Sequence, residues 1–249
     1  MSDSLGKKYV GGCTLQRAQE AFRAHFCFCQ FPSLPKYEDI ELFLHPDELE
    51  YFKTLKYPKR QKSYLLGRYC AKSAVSSYTS EKNLARIVLK EGVFRQPLIY
   101  YAHEPNIQVS ITHCEDFGAA IAFPELHPLS IDIEKVRPDK KGVIESQLTE
   151  DEKRMINELS CSDATFLTIF WSAKEALSKI LKCGLMTPFH VFELNRFEKR
   201  SDCVIGFYKN FAQYKSISFE VSPYICTLTC PKKTDIDLDL EAISKLFSS

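Results

Sequence analysis

A chain of 249 residues, 45% hydrophobic and 26% charged, holds enough apolar residues for one large domain or two small ones, each with its own core. A formal net charge of +1 carries no basic excess of the kind that binding nucleic acid phosphate by phosphate requires, so no nucleic-acid partner is expected. No apolar run approaches the roughly 20 residues of a membrane span, and residues 1–12 lack the basic-then-apolar order of a secretory signal; a cytoplasmic protein with no membrane partner is expected.

Taken in chain order, His25, Cys27 and Cys29 alternate along an apparent strand. With Cys226 and Cys230, four apart, they are the best zinc candidates the chain offers. Ten cysteines with no CxxC pair and no secretory signal fit reduced, buried thiols better than zinc or a disulfide framework. His45-Pro46-Asp47-Glu48 opens a helix, with proline in the first turn and acids after it. Pro58 opens a second helix, running to about Tyr78. Extended segments rich in β-branched and aromatic residues follow at Pro97–Tyr101, Ile107–Thr112 and Ala119–Phe123.

Ile131 to Glu134 reads as a strand. Thr149-Glu150-Asp151-Glu152 is a capping box opening a helix to about Leu159. A further helix runs from about Ala164 to Lys182 and stops at Cys183-Gly184. Extended segments recur at Phe189–Leu194, Ser216–Val221 and Tyr224–Thr229. The tail after Pro231 alternates Asp-Ile-Asp-Leu-Asp-Leu and then turns helix-like, with no place assigned to it. Ala71-Lys72-Ser73-Ala74-Val75 and Ala173-Lys174-Glu175-Ala176-Leu177 each sit in a helical stretch followed by strands, which points to an internal duplication. The fold expected is α+β: two pseudo-symmetric halves, 1–123 and 124–232, each a helix packed on a small antiparallel sheet, then a tail, 233–249. A site belongs in the cleft between such halves.

Along the strand Ile131-Asp132-Ile133-Glu134, side chains alternate, so Asp132 and Glu134 share a face opposite the two isoleucines. Two carboxylates one strand repeat apart repel unless a cation lies between them, and oxygen donors suit magnesium or manganese. Taken alone, the pair is also what a solvent-facing strand edge looks like. On the later helix, Phe166, Ile169, Phe170, Ala173, Leu177 and Ile180 form an apolar stripe. Trp171, Glu175 and Lys179 follow at i, i+4 and i+8 on the other side. An exposed Glu–Lys pair would be ordinary, but an indole beside it suits a cleft wall better than a solvated face. His113, which closes the strand Ser110-Ile111-Thr112-His113-Cys114, reads alone as a structural histidine. Arg60, Arg68 and Lys72 read alone as a basic helix face.

Together these residues resemble the 4′-phosphopantetheinyl transferase superfamily in its monomeric, pseudo-dimeric form, the surfactin-synthetase-activating type. Leu129-Ser130-Ile131-Asp132-Ile133-Glu134 is similar to the family's (I/V)(G/S)(I/V)D(I/V)E strand, and Trp171-Ser172-Ala173-Lys174-Glu175-Ala176-Leu177-Ser178-Lys179 to its W-S-x-K-E-A-x-x-K helix. Leu66-Gly67-Arg68-Tyr69-Cys70-Ala71-Lys72 resembles G-R-x-x-A-K, and Thr112-His113 resembles S-H. The resemblance runs from about Asp47 to Leu194. It implies an enzyme that moves phosphopantetheine from coenzyme A to a serine of an apo acyl or peptidyl carrier protein. It also implies a metal site of Asp132, Glu134 and Glu175 for Mg2+ or Mn2+, and Lys179 on the phosphates. Thr112 and His113 would meet the 3′-phosphate of coenzyme A, with Arg60, Arg68 and Lys72 lining the nucleotide side. The family's Gly-Lys-Pro is replaced here by Phe94-Arg95-Gln96-Pro97, where Arg95 would supply the charge from the neighbouring position. Glu134, Glu175 and Lys179 are then the catalytic candidates. Either glutamate could take the serine proton, Glu134 through a water or Glu175 directly.

Two other readings compete. Pro138-Asp139 followed by Asp151-Glu152-Lys153 is a literal match to the PD…(D/E)xK pattern of metal-dependent nucleases. That pattern needs its second element on a strand, and here a capped helix is expected. A carrier-protein-binding protein without catalysis is the other, and the complete set of Asp132, Glu134, Glu175 and Lys179 speaks against it.

Overall fold

The computed structural model describes residues 5–101, 106–157 and 163–247. The chain divides into two compact units, Met1–Pro128 with Asp235–Asp239, and Leu129–Thr234 with Leu240–Ser248.

The first unit opens with a hairpin of β1 (Lys8–Arg17) and β2 (Glu20–Gln30). Three helices follow: α1 (Tyr37–Glu41), α2 (Pro46–Thr54) and the long α3 (Pro58–Thr79). Two more hairpins come next, β3 (Val88–Glu91) with β4 (Pro97–Tyr100), and β5 (Ile107–Cys114) with β6 (Phe117–Pro124). The strands β1, β2, β6 and β5 form one sheet in that order, and α3 lies across it. Gly118 on β6 makes the close approach feasible: a Cβ there would fall 2.6 Å from Cγ of Leu66 on α3. Leu66 is fully buried and cannot give way cheaply. Gly118→Ala is therefore expected to lower unfolding stability by about 1–3 kcal/mol, measured by denaturant titration.

The second unit repeats the order. β7 (Ser130–Lys135) is followed by α4 (Lys141–Glu145), α5 (Glu150–Asn157) and the long α6 (Asp163–Ile180). Then come β8 (Leu194–Lys199), β9 (Val204–Tyr208), β10 (Tyr214–Val221) and β11 (Tyr224–Pro231). The sheet order is β7-β11-β10-β9-β8, antiparallel throughout, with α6 packed across it. The tail unassigned from sequence supplies β12 (Thr234–Asp237), which adds to the first unit's sheet beside β1. It ends in α7 (Leu240–Phe247), which packs on β10 with Ile243 buried.

The architecture is α+β, helices on antiparallel sheets; the first unit keeps β3–β4 as a separate two-stranded sheet where the second joins β8 and β9 to its main sheet, but the two units share one buried motif. In the first, His45 caps α2 and Glu48 bonds back to its backbone N–H, closing a capping box. The buried Glu48 carboxylate also takes the N–H of Leu89 and the ammonium of Lys72, 2.5 Å away, while Lys72 donates to the carbonyl of Phe43. In the second, Thr149 and Glu152 close the box that opens α5. Glu152 takes the N–H of Leu194 and the ammonium of Lys174 at 2.7 Å, and Lys174 donates to the carbonyl of Gln147. One ionic lock thus ties the short helix, the long helix and the first strand of the next hairpin in each unit.

Several expectations change. Phe189–Phe192 forms a short 3-10 turn and the strand begins only at Leu194, because Phe189 and Phe192 turn inward against each other. The end of the Thr149 helix near Leu159 lies outside the described residues. The nine described cysteines are not joined in disulfides.

Candidate active site

Within the second unit, Asp132 and Glu134 lie on β7 and Trp171, Ser172, Glu175 and Lys179 on α6, which packs on that strand. Asp132 is buried, only 4% exposed, so its carboxylate does not face open solvent although β7 is the outer strand of its sheet. Its Oδ2 accepts from Ser172 Oγ at 2.8 Å and its Oδ1 from Lys179 Nζ at 2.8 Å. Lys179 also donates to the carbonyl of Ile131 at 2.9 Å. The Trp171 indole N–H donates to Glu134 Oε1 at 3.2 Å. Its ring stacks face to face on Phe189, centroids 4.7 Å apart. Ser130 turns its hydroxyl to the carbonyl of Ala176 at 2.6 Å, pinning β7 to α6.

Burial first, and then the charge of Asp132, pushes the Glu134 carboxyl up to about 7; the Trp171 hydrogen bond and Lys179 oppose the shift. Glu175 is likewise pushed up to about 7, by burial and then by Asp132, with Lys179 opposing and Glu134 adding to it. Three acids therefore crowd one another, and a divalent cation would relieve the crowding. All-oxygen donors of this kind fit magnesium or manganese. The donors are not drawn into a finished shell, since no group of three His, Cys, Asp or Glu side chains among the described residues is arranged to hold a metal ion. Protein donors from Lys179, Ser172 and Trp171 engage Asp132 and Glu134 instead.

This cluster lies inside a stretch with a recognisable sequence pattern. Residues 128–229 match the model of the 4′-phosphopantetheinyl transferase superfamily. The matched stretch is shorter than half of the 249-residue chain and contains every residue of the superfamily-like cluster just described. No curated protein matches the chain in sequence. Among solved structures, it is similar to a holo-(acyl-carrier-protein) synthase from Bacillus anthracis in complex with CoA (3′,5′-ADP). The identity is 20% over 46% of this chain and 96% of that one, at a TM-score of 0.36. A holo-ACP-synthase from Plasmodium yoelii gives 17% identity over 47% of this chain and 95% of that one, also at 0.36. Scores this low carry no argument about activity.

The superfamily-like residues outside the matched stretch belong to the first unit. Thr112 is buried and His113 exposed at the end of β5. Gly67 on α3 lies above them: a Cβ there would make ordinary contact, 3.4 Å from Ile111 and 3.9 Å from the His113 ring. Arg60 is exposed in the first turn of α3. Arg68 lies over the Tyr64 ring at 4.8 Å, 3.4 Å from Glu48, and lines a pocket of roughly 280 Å³ with Tyr51, Tyr64 and Lys90. Arg95 is the exposed left-handed residue of the β3–β4 turn, at φ 61°, held by its N–H to the carbonyl of Gly92.

Lys72 is a correction. A nucleotide-lining role does not fit a side chain with no exposed surface, whose ammonium is shared among Glu48, Phe43 and Leu84; it belongs to the ionic lock. Ser172 and Phe189 are site residues that residue-type reasoning missed. Ser172 stood next to Trp171 in the motif, but only folding brings it to Asp132. The nuclease-like string falls on a 3-10 turn (Pro138–Lys140) and on α5, with Glu152 consumed by the lock. No helix among the described residues is long and apolar enough to cross a membrane.

Proposed function

We propose that the chain transfers the 4′-phosphopantetheine group of coenzyme A to a serine of an apo acyl or peptidyl carrier protein, releasing 3′,5′-ADP. The observation that carries the reading is the cluster of Asp132, Glu134, Glu175 and Lys179 on β7 and α6, inside the stretch that matches the superfamily model. In the reaction the serine oxygen forms a bond to the β-phosphorus and the bond from that phosphorus to the leaving nucleotide phosphate breaks. Mg2+, or Mn2+ in its place, held by Asp132, Glu134 and Glu175, would neutralise charge on the pyrophosphate.

The chain's own residues supply the rest. A weak base suffices for the serine proton, which Glu134 takes through a water or Glu175 takes directly. Lys179 is poised beside Asp132 to move its ammonium onto phosphate oxygens. The Trp171–Phe189 stack walls one side of the cluster. On the first unit, Thr112, His113, Arg60, Arg68 and Arg95 are assigned to the nucleotide. The reading includes a monomer acting in the cytoplasm.

The test is transfer from a fluorescent coenzyme A analogue to a panel of apo carrier proteins, with and without Mg2+ and chelator. Labelling of a carrier serine that stops with chelator supports the reading; no labelling of any carrier at high enzyme concentration removes it. Within it, His113→Ala should raise the Kd of coenzyme A about tenfold, roughly 1.4 kcal/mol, and leave dephospho-coenzyme A unchanged, because only the former carries the 3′-phosphate. Calorimetry that finds both weakened alike takes His113 out of that role.

A further inference from the structure

The two ionic locks place a matched pair of residues in the two units. Lys72 and Lys174 hold equivalent positions in the two ionic locks, so Ser73 on α3 corresponds to Glu175 on α6, Cys70 to Ser172, Ser77 to Lys179 and Tyr69 to Trp171. Strand register extends the match. The hairpins β5–β6 and β10–β11 close on the pairs Cys114–Phe117 and Val221–Tyr224. Counting from there, Gly118 and Ala120 correspond to Ile225 and Thr227, whose neighbours across the sheet are Cys29 and Cys27 in one unit and Glu134 and Asp132 in the other. The first unit thus carries the same lock with the carboxylates of the second replaced by cysteine and serine.

We propose that Lys174, through its buried pair with Glu152, is a positioning residue for the carboxylate cluster: it sets the rotation of α6 that brings Glu175, Lys179 and Trp171 to β7. This rests on the proposed metal site. Lys174 precedes Glu175 and follows Trp171 by three positions. Both partners of its ion pair have no exposed surface. Glu152 is held from three directions, by the α5 cap at Thr149, by the N–H of Leu194 that opens β8, and by Lys174 itself. A helix so anchored cannot turn about its axis without breaking a buried ionic bond, which is costly when one charge is left without the other. The Lys174 ammonium bonds to Glu152 and the carbonyl of Gln147, so it acts on the cluster through the helix. The lock at Lys72 fixes α3 equally, but no carboxylate follows it there, so it serves as a built-in control for a purely structural contribution.

The experiment compares Lys174→Met with Lys72→Met in the full chain, and the gentler Glu152→Gln with Glu48→Gln should either methionine variant fail to fold. Both locks should lower the melting temperature. Mn2+ affinity, read without substrate by water-proton relaxation, should fall at least tenfold for the Lys174 or Glu152 variant and stay within twofold for the Lys72 or Glu48 variant. Trp171 is the only tryptophan, so its emission reports the orientation of α6 directly: a red shift is expected for the Lys174 lock and none for the Lys72 lock. Equal effects of both locks on Mn2+ affinity and emission, or none from either, overturn the proposal. So does a wild-type chain that transfers phosphopantetheine yet binds no Mn2+. A wild-type chain that binds Mn2+ with this pattern but modifies no carrier keeps the positioning role and removes the proposed function.

Discussion

Replacing Asp132 by alanine is expected to reduce phosphopantetheine transfer by about a thousandfold or more, roughly 4 kcal/mol of transition-state stabilisation, while the chain stays folded. After burial, the charge of Asp132 is the largest cause raising both Glu134 and Glu175. Asp132 is also the acid that holds Lys179 and Ser172. A metal bound by the remaining two glutamates would lose its central ligand, and Lys179 would lose the partner that keeps its ammonium beside the cluster. The fold should tolerate the change: Lys179 keeps the carbonyl of Ile131, and the small side chain removed leaves two acids that repel less. Urea melts should therefore show a change within about 1–2 kcal/mol, and the two glutamates should titrate closer to the ordinary carboxylate range. Near-normal transfer by this variant would remove the assignment of the cluster.

What could be read from sequence and what could not divide along a physical line. The strand pair Asp132 and Glu134, the helix bearing Glu175 and Lys179, and the capping box at Thr149 are local patterns, and period and capping chemistry suffice to locate them. The long helix and the later strands after each pentapeptide were legible for the same reason, but β3 and β9 were not read and the segment expected at Phe189–Leu194 is mostly a 3-10 turn. The ionic locks were not, because each joins residues some two dozen positions apart whose helices give no sign of which face is covered. Lys72 sits in a run of α3, Leu65 to Val75, buried on nearly every side. A lysine there is indistinguishable in sequence from a solvated one. The apolar stripe of α6 misled in the same way. Ser172, Lys174 and Ser178 lie off the stripe and are nevertheless buried, because Asp132, Glu152 and the carbonyl of Glu175 satisfy them. The strands β1 and β12 escaped because β1 contains Gly11-Gly12 and β12 is short and acidic, poor strand material that holds only through pairing with neighbours.

Without metal, the protein should lose stability as pH rises from about 5 to about 8, and magnesium should restore it at the upper end. Glu134 and Glu175 are both pushed up to about 7, from ordinary values near 4.5. A carboxyl whose pKa is raised on folding binds its proton more tightly folded than unfolded. Its contribution to stability is whole below about 4.5 and is lost as pH climbs through about 7. One such group corresponds to about 3 kcal/mol; the two are coupled through each other and Asp132, so their joint effect should be nearer 3–5 kcal/mol than twice the single value. Mg2+ reverses the sign of the local problem, because it favours the ionised acids that the apo cluster penalises. Its stabilising effect in thermal melts should accordingly be several degrees at pH 8 and near zero at pH 5. Glu134→Gln should flatten the metal-free pH profile, raise metal-free stability at pH 8 by about 1–3 kcal/mol, and remove most of the gain from Mg2+. Melting temperatures of wild type and variant across pH 5–8, with and without Mg2+, measure all of this. A metal-free wild-type profile that is level over that range would mean that burial and the charge of Asp132 do not hold Glu134 and Glu175 up near 7.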